Sequence, residues 1–255
     1  MTEKTDRTNE TRLNNNGEEM RIIRYGSAMD IDVQFTKDGT VIEHRQYKDF
    51  KIGNIKNPMT PSVFGVGFIG KGRFKSRDEN GKFTKCYNTW AHMLERCYCS
   101  KYQERCPTYK GCTVCKEWHN FQVFAKWYYN HFYEFGNNEI MTLDKDILCK
   151  GNKVYSADTC VFVPVSINSL FTKCNKRRGG CPIGVSKQGD KYVAQLKKGN
   201  GNQIWLGTYD TVEEAFLAYK TAKEQYIKEV AEEYKDKIPY RLYEALMNYE
   251  VEIDD

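Results

Sequence analysis

The chain has 255 residues and a mass of 29.8 kDa, which is enough for about two or three small domains. Its net charge of +5 is mildly basic and favours nucleic acid as a partner, although it is far from that of a polycationic tail. The sequence contains no apolar run of about 18 residues and does not begin with an apolar signal region. We therefore expect a cytoplasmic protein without a membrane partner.

The N-terminal part of the chain changes character after a polar start. Residues 1–18 have no hydrophobic period, which predicts a disordered tail. Beyond them, short segments alternate apolar and polar residues, most clearly at Ile31, Val33 and Phe35, and they end in turn sequences such as Lys-Asp-Gly-Thr. We expect residues 19–60 to form a small β module.

The next segment, residues 61–86, is rich in glycine and polar residues and predicts a connector. Its stretch GVGFIGKG (residues 65–72) matches parts of the sequence motifs of two phosphate-binding loops. A dinucleotide loop needs a strand before it and a helix after it, and a P-loop needs Ser or Thr after the lysine, where Gly72 stands. The stretch therefore predicts a flexible turn, and we expect no nucleotide cofactor.

Two amphipathic segments, residues 88–98 and 117–132, predict core helices. Between them Cys112 and Cys115 form a C-x-x-C pair, which is half of a common structural zinc site. The chain has ten cysteines but no second pair of this spacing. The pair could hold zinc with scattered cysteines or, as the missing partner pair favours, could be reduced and buried in the core. We therefore do not expect zinc.

Residues 142–170, TLDKDILCKGNKVYSADTCVFVPVSINSL, predict two strands joined by a Gly-Asn turn and followed by a helix from Pro164. This pattern resembles the HNH, or ββα-metal, nuclease core of phage-encoded homing endonucleases. In that family an Asp and an Asn hold a divalent cation on the scissile phosphate, a His is the general base, and a further Asn orients the His. The resemblance implies a DNA endonuclease or nickase that uses Mg²⁺ or Mn²⁺ in the host cell of a phage.

Carried over by position, the resemblance implies metal ligands at Asp144 and Asn168. It places the base position at Lys145 and the orienting position at Thr159. Thr159 and Asn168 keep the nine-residue step of the family. Lys145 replaces the usual His and Thr159 replaces the first Asn, so two of the four positions differ from the family pattern.

The replacement of His by Lys145 bears directly on the chemistry. An unperturbed lysine has a pKa of about 10.4 and is protonated at neutral pH, so it cannot accept a proton from water. Removal from water can lower a lysine pKa by several units, which would restore a base. Asp146 would share a strand face with Asp144, so a catalytic metal site built from two carboxylates is also conceivable.

Residues 181–237 predict three alternating strands and then a helix that begins after Thr211, where Glu214 completes a capping box. The pattern G-V, Y-x-A-x-L, W-L-G-x-Y-x-T-x-E-E-A-x-x-A-Y resembles the Apetala-two/ethylene-response-factor DNA-binding domain, which is also found appended to phage HNH nucleases. In that family one face of the three-stranded sheet lies in the major groove. The resemblance therefore implies double-stranded DNA as the partner.

The residues expected to bind DNA follow from this second resemblance and from the preceding linker. Residues 173–180, KCNKRRGG, concentrate positive charge before two glycines and predict a linker that is either a solvated hinge or a contact for phosphates. Most of the family's arginines are Gln, Lys or Ser here, so a G-rich target is not implied. The expected positions are Ser186, Lys187, Gln188, Gln195, Lys197, Gln203 and Trp205 in the sheet, and Lys176, Arg177 and Arg178 in the linker.

Together these patterns predict an α+β protein with a small N-terminal β module, an HNH-like ββα core with preceding helices, and a C-terminal three-stranded antiparallel sheet with a helix. The expected segments are 1–18 (tail), 19–60 (β module), 61–86 (connector), 87–172 (HNH-like domain), 173–180 (linker), 181–237 (DNA-binding domain) and 238–255 (C-terminal helix and acidic end).

Two functions fit these predictions. The first is DNA binding with metal-dependent endonuclease or nickase activity, and the second is that of a catalytically degenerate DNA-binding regulator or architectural protein of a phage or mobile element. A purely protein-binding factor would need the basic sheet face to be covered. The sequence does not predict the oligomeric state.

Overall fold

The computed structural model describes residues 6–135, 139–172, 180–199 and 201–253. The described chain is an α+β protein with several small sheets, which confirms the predicted fold class. It divides into two compact units, an N-terminal unit of Met1–Cys99 with Lys116–Ala125 and a C-terminal unit of Ser100–Cys115 with Lys126–Asp255. No helix in the described ranges combines the length and the apolar content that a membrane span requires.

Short strands and a few helices make up both units. The strands are β1 (Thr11–Leu13), β2 (Glu19–Ser27), β3 (Asp30–Phe35), β4 (Val41–Arg45), β5 (Thr113–Val114), β6 (Met141–Asp144), β7 (Val154–Tyr155), β8 (Val161–Pro164), β9 (Val185–Gln188), β10 (Lys191–Lys197) and β11 (Gln203–Tyr209). The helices are α1 (Tyr47–Lys51), α2 (Lys85–Tyr98), α3 (Ser100–Arg105), α4 (Phe121–His131), α5 (Val165–Asn168), α6 (Val212–Tyr234) and α7 (Tyr240–Met247).

In the N-terminal unit, β1 to β4 form an antiparallel sheet in sequence order. Ile31, Val33 and Phe35 are fully buried on one side of β3, as their alternation predicts. The prediction of a disordered tail is wrong for β1, because Thr11 pairs with Arg21 of β2. All three side chains of β1 are exposed, so the strand is held by backbone pairing and leaves no hydrophobic pattern in the sequence.

Helix α2 packs within the N-terminal unit. It begins after Thr84, whose hydroxyl accepts the backbone N–H of Tyr87 at 3.1 Å. On its buried face, the indole N–H of Trp90 donates to the carbonyl of Trp118 at 2.7 Å, and the Trp90 ring lies 5.4 Å from that of Phe121. The sequence also groups α2 with the segment that contains Trp118 and Phe121, and all of these residues belong to the N-terminal unit.

The ββα region of the C-terminal unit consists of β6, β8 and α5. Strands β6 and β8 pair antiparallel, with Leu143 opposite Phe162. Pro164 is the N-cap of α5, as expected, because proline fits the start of a helix but not its interior. Helix α5 is a single turn, and a 3₁₀ turn continues it. Strand β7 lies between β6 and β8 in sequence but pairs in parallel with β5.

The C-terminal sheet has the order β11-β10-β9 and is antiparallel, as predicted. The capping box at the start of α6 is also confirmed: Glu214 N–H donates to the Thr211 hydroxyl at 3.3 Å, and Thr211 N–H donates to the Glu214 carboxylate at 3.2 Å. The first half of α6 covers one face of the sheet. The buried side chains of this sheet core are Val185, Ala194, Leu196, Ala215, Phe216, Tyr219 and Val251.

The second half of α6 belongs to a different hydrophobic core, together with the ββα region. Ile227 and Ala231 of α6 are fully buried there. They pack with Val161 and Val163 of β8 and with α7, the predicted C-terminal helix. One helix therefore contributes to two hydrophobic cores of the C-terminal unit, whereas the sequence assigns α6 to the DNA-binding domain alone.

Candidate functional site

The outer face of the C-terminal sheet can be derived from the strand register. Ala194 pairs with Val185, and both are buried on the side that α6 covers. Side chains alternate along a strand and cross-strand partners share a face, so the neighbouring positions lie on the outer side. Six predicted positions lie there and are called the reader face: Ser186, Gln188, Gln195, Lys197, Gln203 and Trp205.

The remaining predicted DNA contacts are placed differently. Lys187 pairs with Tyr192 and lies two residues from Val185, so it is exposed on the helix side of an edge strand. Lys191 and Thr208 were not predicted, but the register places them on the same side as the reader face. Continuing the two-residue period along β10 would have found Lys191, whereas the extra residue that a bulge adds to β11 moves Thr208 out of the period that contains Trp205. The linker positions Lys176, Arg177 and Arg178 lie outside the described residues.

Trp205 is the largest apolar group on the reader face and is 65% exposed. It pairs across the strands with Gln195, whose carboxamide oxygen accepts a hydrogen bond from Gln203. A bulge in the pairing near Ala194 adds a residue to β11, and bulges increase the local twist of a sheet. With the ammonium group of Lys197, the face offers an indole for packing, amides for base edges and a cation for phosphates.

In the ββα region, β6 ends at Asp144 and the chain turns. The Oδ1 atom of Asp144 accepts the backbone N–H groups of Asp146 and Ile147, each at 2.8 Å. Burial, and after it the charge of Asp146, raises the pKa of Asp144 to about 6 against the effect of these hydrogen bonds. The expected shared strand face of Asp144 and Asp146 is wrong, but the turn still brings their carboxyl groups within interaction range.

The resemblance to HNH nucleases places the general base at Lys145. Its side chain is buried, and its Nζ lies 3.1 Å from Oδ2 of Asp146 and 5.9 Å from the ring centroid of Tyr155. The side-chain amide of Asn152 donates to the carbonyl of Lys145 at 2.7 Å and to that of Val154 at 2.7 Å. Lys145 is therefore held as the cationic partner of a carboxylate in a turn that Asn152 fixes.

Thr159 and Asn168 occupy the other two positions that the family pattern implies. The hydroxyl of Thr159 donates to the carbonyl of Val154 at 2.7 Å and lies 2.9 Å from that of Ser156, so it stabilises the turn between β7 and β8. Asn168 is the last residue of α5 and is half-buried. Among the described residues, no hydrogen-bond partner contacts its side-chain amide.

The C-x-x-C pair, Cys112 and Cys115, flanks strand β5. Cys112 is buried, with its Sγ 3.9 Å from the carbonyl of Thr108, and Cys115 is half-buried. In the described chain, a cluster of three or more His, Cys, Asp or Glu donors occurs only at Asp30, Asp32 and His44 of the N-terminal sheet. The pair is therefore not part of a cluster of three such donors among the described residues.

The cluster at Asp30, Asp32 and His44 was not anticipated from the sequence; Asp30 and Asp32 lie two residues apart on one side of β3, and the pairing of β2 with β3 is irregular beside them. The guanidinium of Arg24 donates to Asp30 at 2.9 Å through each of two nitrogens and to Asp32 at 2.8 Å. Arg24, followed by His44, holds the pKa of Asp30 well below its usual range. Arg24 already neutralises these carboxylates, so the cluster is an ion-pair network of the β module.

Comparison of the chain with protein-family models, with curated proteins and with solved structures found no match in any of the three. The resemblances to HNH nucleases and to Apetala-two domains therefore rest on the residues quoted for them. The functions that they imply are proposals, and the geometry of the reader face and of the Asp144 turn supports them.

Proposed function

We propose that the protein binds double-stranded DNA through the reader face. The observation that carries the proposal is the placement of six polar or aromatic side chains on one exposed face of a sheet whose other face is buried against α6. Three strands about 4.8 Å apart make a surface about 10 Å wide, which fits a major groove about 12 Å wide. A sheet backed by a helix is also stiff enough to keep the side chains in register.

The chemistry of the reader face indicates how DNA would be recognised. Gln195 and Gln203 can donate to and accept from base edges, and the exposed indole of Trp205 can pack on sugars or base methyl groups. The face has no arginine, so the bidentate reading of guanine by arginine is absent from it. We therefore expect a target preference that does not depend on runs of guanine.

DNA binding can be tested with a labelled duplex and the full chain. Trp205→Ala should weaken binding by about 1–3 kcal/mol, roughly a 5- to 150-fold rise in Kd, by analogy with other aromatic contacts to nucleic acid. Tyr240→Ala is the control, because Tyr240 is 73% exposed and lies on α7, which is not part of the sheet. Wild-type affinity in the Trp205→Ala variant would contradict the proposed interface.

We further propose metal-dependent nicking of the bound DNA at the Asp144 turn. Mg²⁺ and Mn²⁺ prefer carboxylate, amide and water oxygens, which Asp144, Asp146 and Asn168 offer. The raised pKa of Asp144 fits such a site, because a divalent cation would offset the cost of two neighbouring carboxylates. A bound ion would polarise the scissile phosphate and make its own water more acidic. Lys145 orients Asp146 through their ion pair.

A second candidate function is that of a DNA-binding regulator with a degenerate nuclease fold. The hydrogen bonding at two of the family's catalytic positions favours it. Lys145 donates to Asp146, so it cannot accept a proton while this ion pair lasts, and the Thr159 hydroxyl is committed to the carbonyl of Val154. Positions that serve chemistry in the family thus serve the local structure here.

A supercoiled-plasmid assay with Mg²⁺ or Mn²⁺ separates the two candidates. The nuclease proposal predicts slow nicking by the wild type, because a positioned base typically contributes about 10²- to 10⁴-fold. Asp144→Ala should abolish nicking but keep DNA binding, and Lys145→His should accelerate nicking by restoring a base with a pKa near neutrality. If wild type and Lys145→His both bind DNA and neither cuts it, the regulator is the function to retain.

A further inference from the structure

Residues 71–85, called the basic arm, carry most of the net charge of the chain. Their six basic and two acidic residues leave a charge of +4, compared with +5 for all 255 residues. The basic residues are all exposed: Lys71, Arg73, Lys75, Arg77, Lys82 and Lys85. In the described part of the chain, no carboxylate forms an ion pair with Lys71, Arg73 or Lys75. Lys71, Arg73 and Lys75 thus present uncompensated positive charge to solvent.

The start of the arm, which follows the glycine-rich turn predicted at residues 65–72, is hydrogen-bonded to the N-terminal unit. The side-chain amide of Gln122 accepts the backbone N–H of Phe74 at 3.0 Å and donates to its carbonyl at 2.9 Å. A Cβ at Gly70 would lie 2.2 Å from the amide oxygen of Asn120, and one at Gly72 would lie 2.3 Å from that of Gln122. These glycines therefore permit a close approach.

The second part of the arm is a hairpin. Arg77 and Phe83 are bridged in antiparallel fashion, and the backbone N–H of Thr84 donates to the carbonyl of Ser76 at 3.0 Å. The carboxylate of Asp78 accepts two backbone N–H groups of the tight turn, so this acidic residue shapes the hairpin. A hairpin formed before binding reduces the ordering entropy lost on binding.

An aromatic stack orients one of the arginines. The guanidinium carbon of Arg77 lies 3.8 Å from the ring centroid of Phe83, which is 43% exposed. Phe83 in turn stacks on Tyr87 of α2 with centroids 4.6 Å apart. An arginine stacked on a ring keeps its planar set of donors in one orientation, which suits the oxygen atoms of a phosphate.

We infer that the basic arm binds the phosphodiester backbone of nucleic acid as a contact separate from the reader face. The inference rests on residues of the N-terminal unit alone and goes beyond the proposed reading of DNA by the C-terminal sheet. A phosphate chain matches the arm because it offers anionic oxygens in series to ammonium and guanidinium groups held in a fixed hairpin. Such contacts add affinity without base preference.

The test measures binding of the full chain to a short labelled duplex across a salt series. The arm variant combines Lys71→Gln, Arg73→Gln and Lys75→Gln. The control variant combines Lys48→Gln, Lys51→Gln and Lys56→Gln, which removes the same charge from exposed positions of the same unit. Each lost phosphate contact should lower the slope of log K against log salt by about 0.9, so the arm variant should lose about 2 to 3 units. The control should lose less than about one unit.

The inference is overturned if the arm and control variants have equal slopes. Trp205→Ala in the same assay tests the reader face separately. If Trp205→Ala weakens DNA binding and the arm variant does not, only the inference about the arm is rejected. The reverse result rejects only the reader face. Vesicles that contain anionic lipid test a second kind of polyanion. If the arm is needed for binding to these vesicles but is not needed for binding to DNA, the inference is also overturned.

Discussion

Lys223 allows a quantitative test of the packing of α6. Its side chain is 7% exposed on the buried face of the helix, between Tyr219 in the sheet core and Ile227 in the ββα core. Burial lowers its pKa from 10.5 to about 8. In the described part of the chain no carboxylate forms an ion pair with Lys223, so its charge in the folded state is not compensated by a partner.

The expected effect of Lys223→Met follows from proton linkage. The folded state binds the Lys223 proton more weakly than the unfolded state, so the charged group lowers stability below the folded pKa of about 8. The cost is relieved as the pH rises from about 8 to about 10.5, where both states become neutral. A difference of 2 to 2.5 pKa units corresponds to about 3 kcal/mol. Methionine keeps the unbranched shape without the charge.

The assay is urea unfolding of the full chain near pH 7 and near pH 10. Lys223→Met should raise the free energy of unfolding by up to about 3 kcal/mol near pH 7 and by clearly less near pH 10. Lys228→Met is the control, because Lys228 is exposed on the same helix and should change stability by less than about 0.5 kcal/mol. An equal gain at both pH values, or no gain, would refute the argument.

Three further predictions concern stability. Gly184→Ala should lower the free energy of unfolding by about 3 kcal/mol more than Gly189→Ala does, as measured by urea unfolding. Both glycines have a positive φ, but only at Gly184 would a Cβ meet the Tyr219 ring, at 2.0 Å. Thr211→Ala should cost about 1 kcal/mol through loss of the capping box, and an equal stability would contradict this. Because the described cysteines form no metal cluster, a chelator should leave the melting temperature unchanged, and one equivalent of bound zinc by elemental analysis would be the opposite result.

The sequence was most informative where local signals agree. In the C-terminal sheet, alternation, Gly-containing turns and the Thr211 capping box all specify the same strands and helix, and the structure confirms them. The period of two also placed Gln195 and Trp205 on one face, because register follows from which side chains are buried. The parts of the site that depend on strand alternation could therefore be predicted from the sequence.

The sequence was least informative where tertiary contacts decide. Strand β1 has no buried side chain, and the basic arm is fixed by Gln122, about 50 residues further along the chain. The turn after Asp144 depends on two backbone hydrogen bonds to its carboxylate, which interrupt an apolar-acidic alternation that otherwise predicts a strand. The network of Arg24 with Asp30 depends on the register between β2 and β3, which two irregularities in their pairing shift.

The last prediction concerns α6, which packs in two cores. It asks whether the helix couples the sheet proposed to bind DNA to the ββα region. Helix α6 has 23 residues, so it is about 34 Å long. Its first half packs on the reader sheet and its second half on β8, so the helix fixes one region relative to the other. If the sheet binds DNA as proposed, we expect strain in the sheet to reach the ββα region through α6, because the helix packs in both cores.

Gln225→Pro tests this coupling, since Gln225 is exposed between the two halves and proline interrupts a helix at a cost of about 3 kcal/mol. In the wild type, amides of β10 and β8 should exchange hydrogen with one shared free energy of opening. In Gln225→Pro the two values should separate, whereas Gln225→Ala, which keeps the helix, should leave them equal. Two different opening free energies already in the wild type would show that α6 does not join the cores into one cooperative unit, and the reader sheet would then act independently of the ββα region.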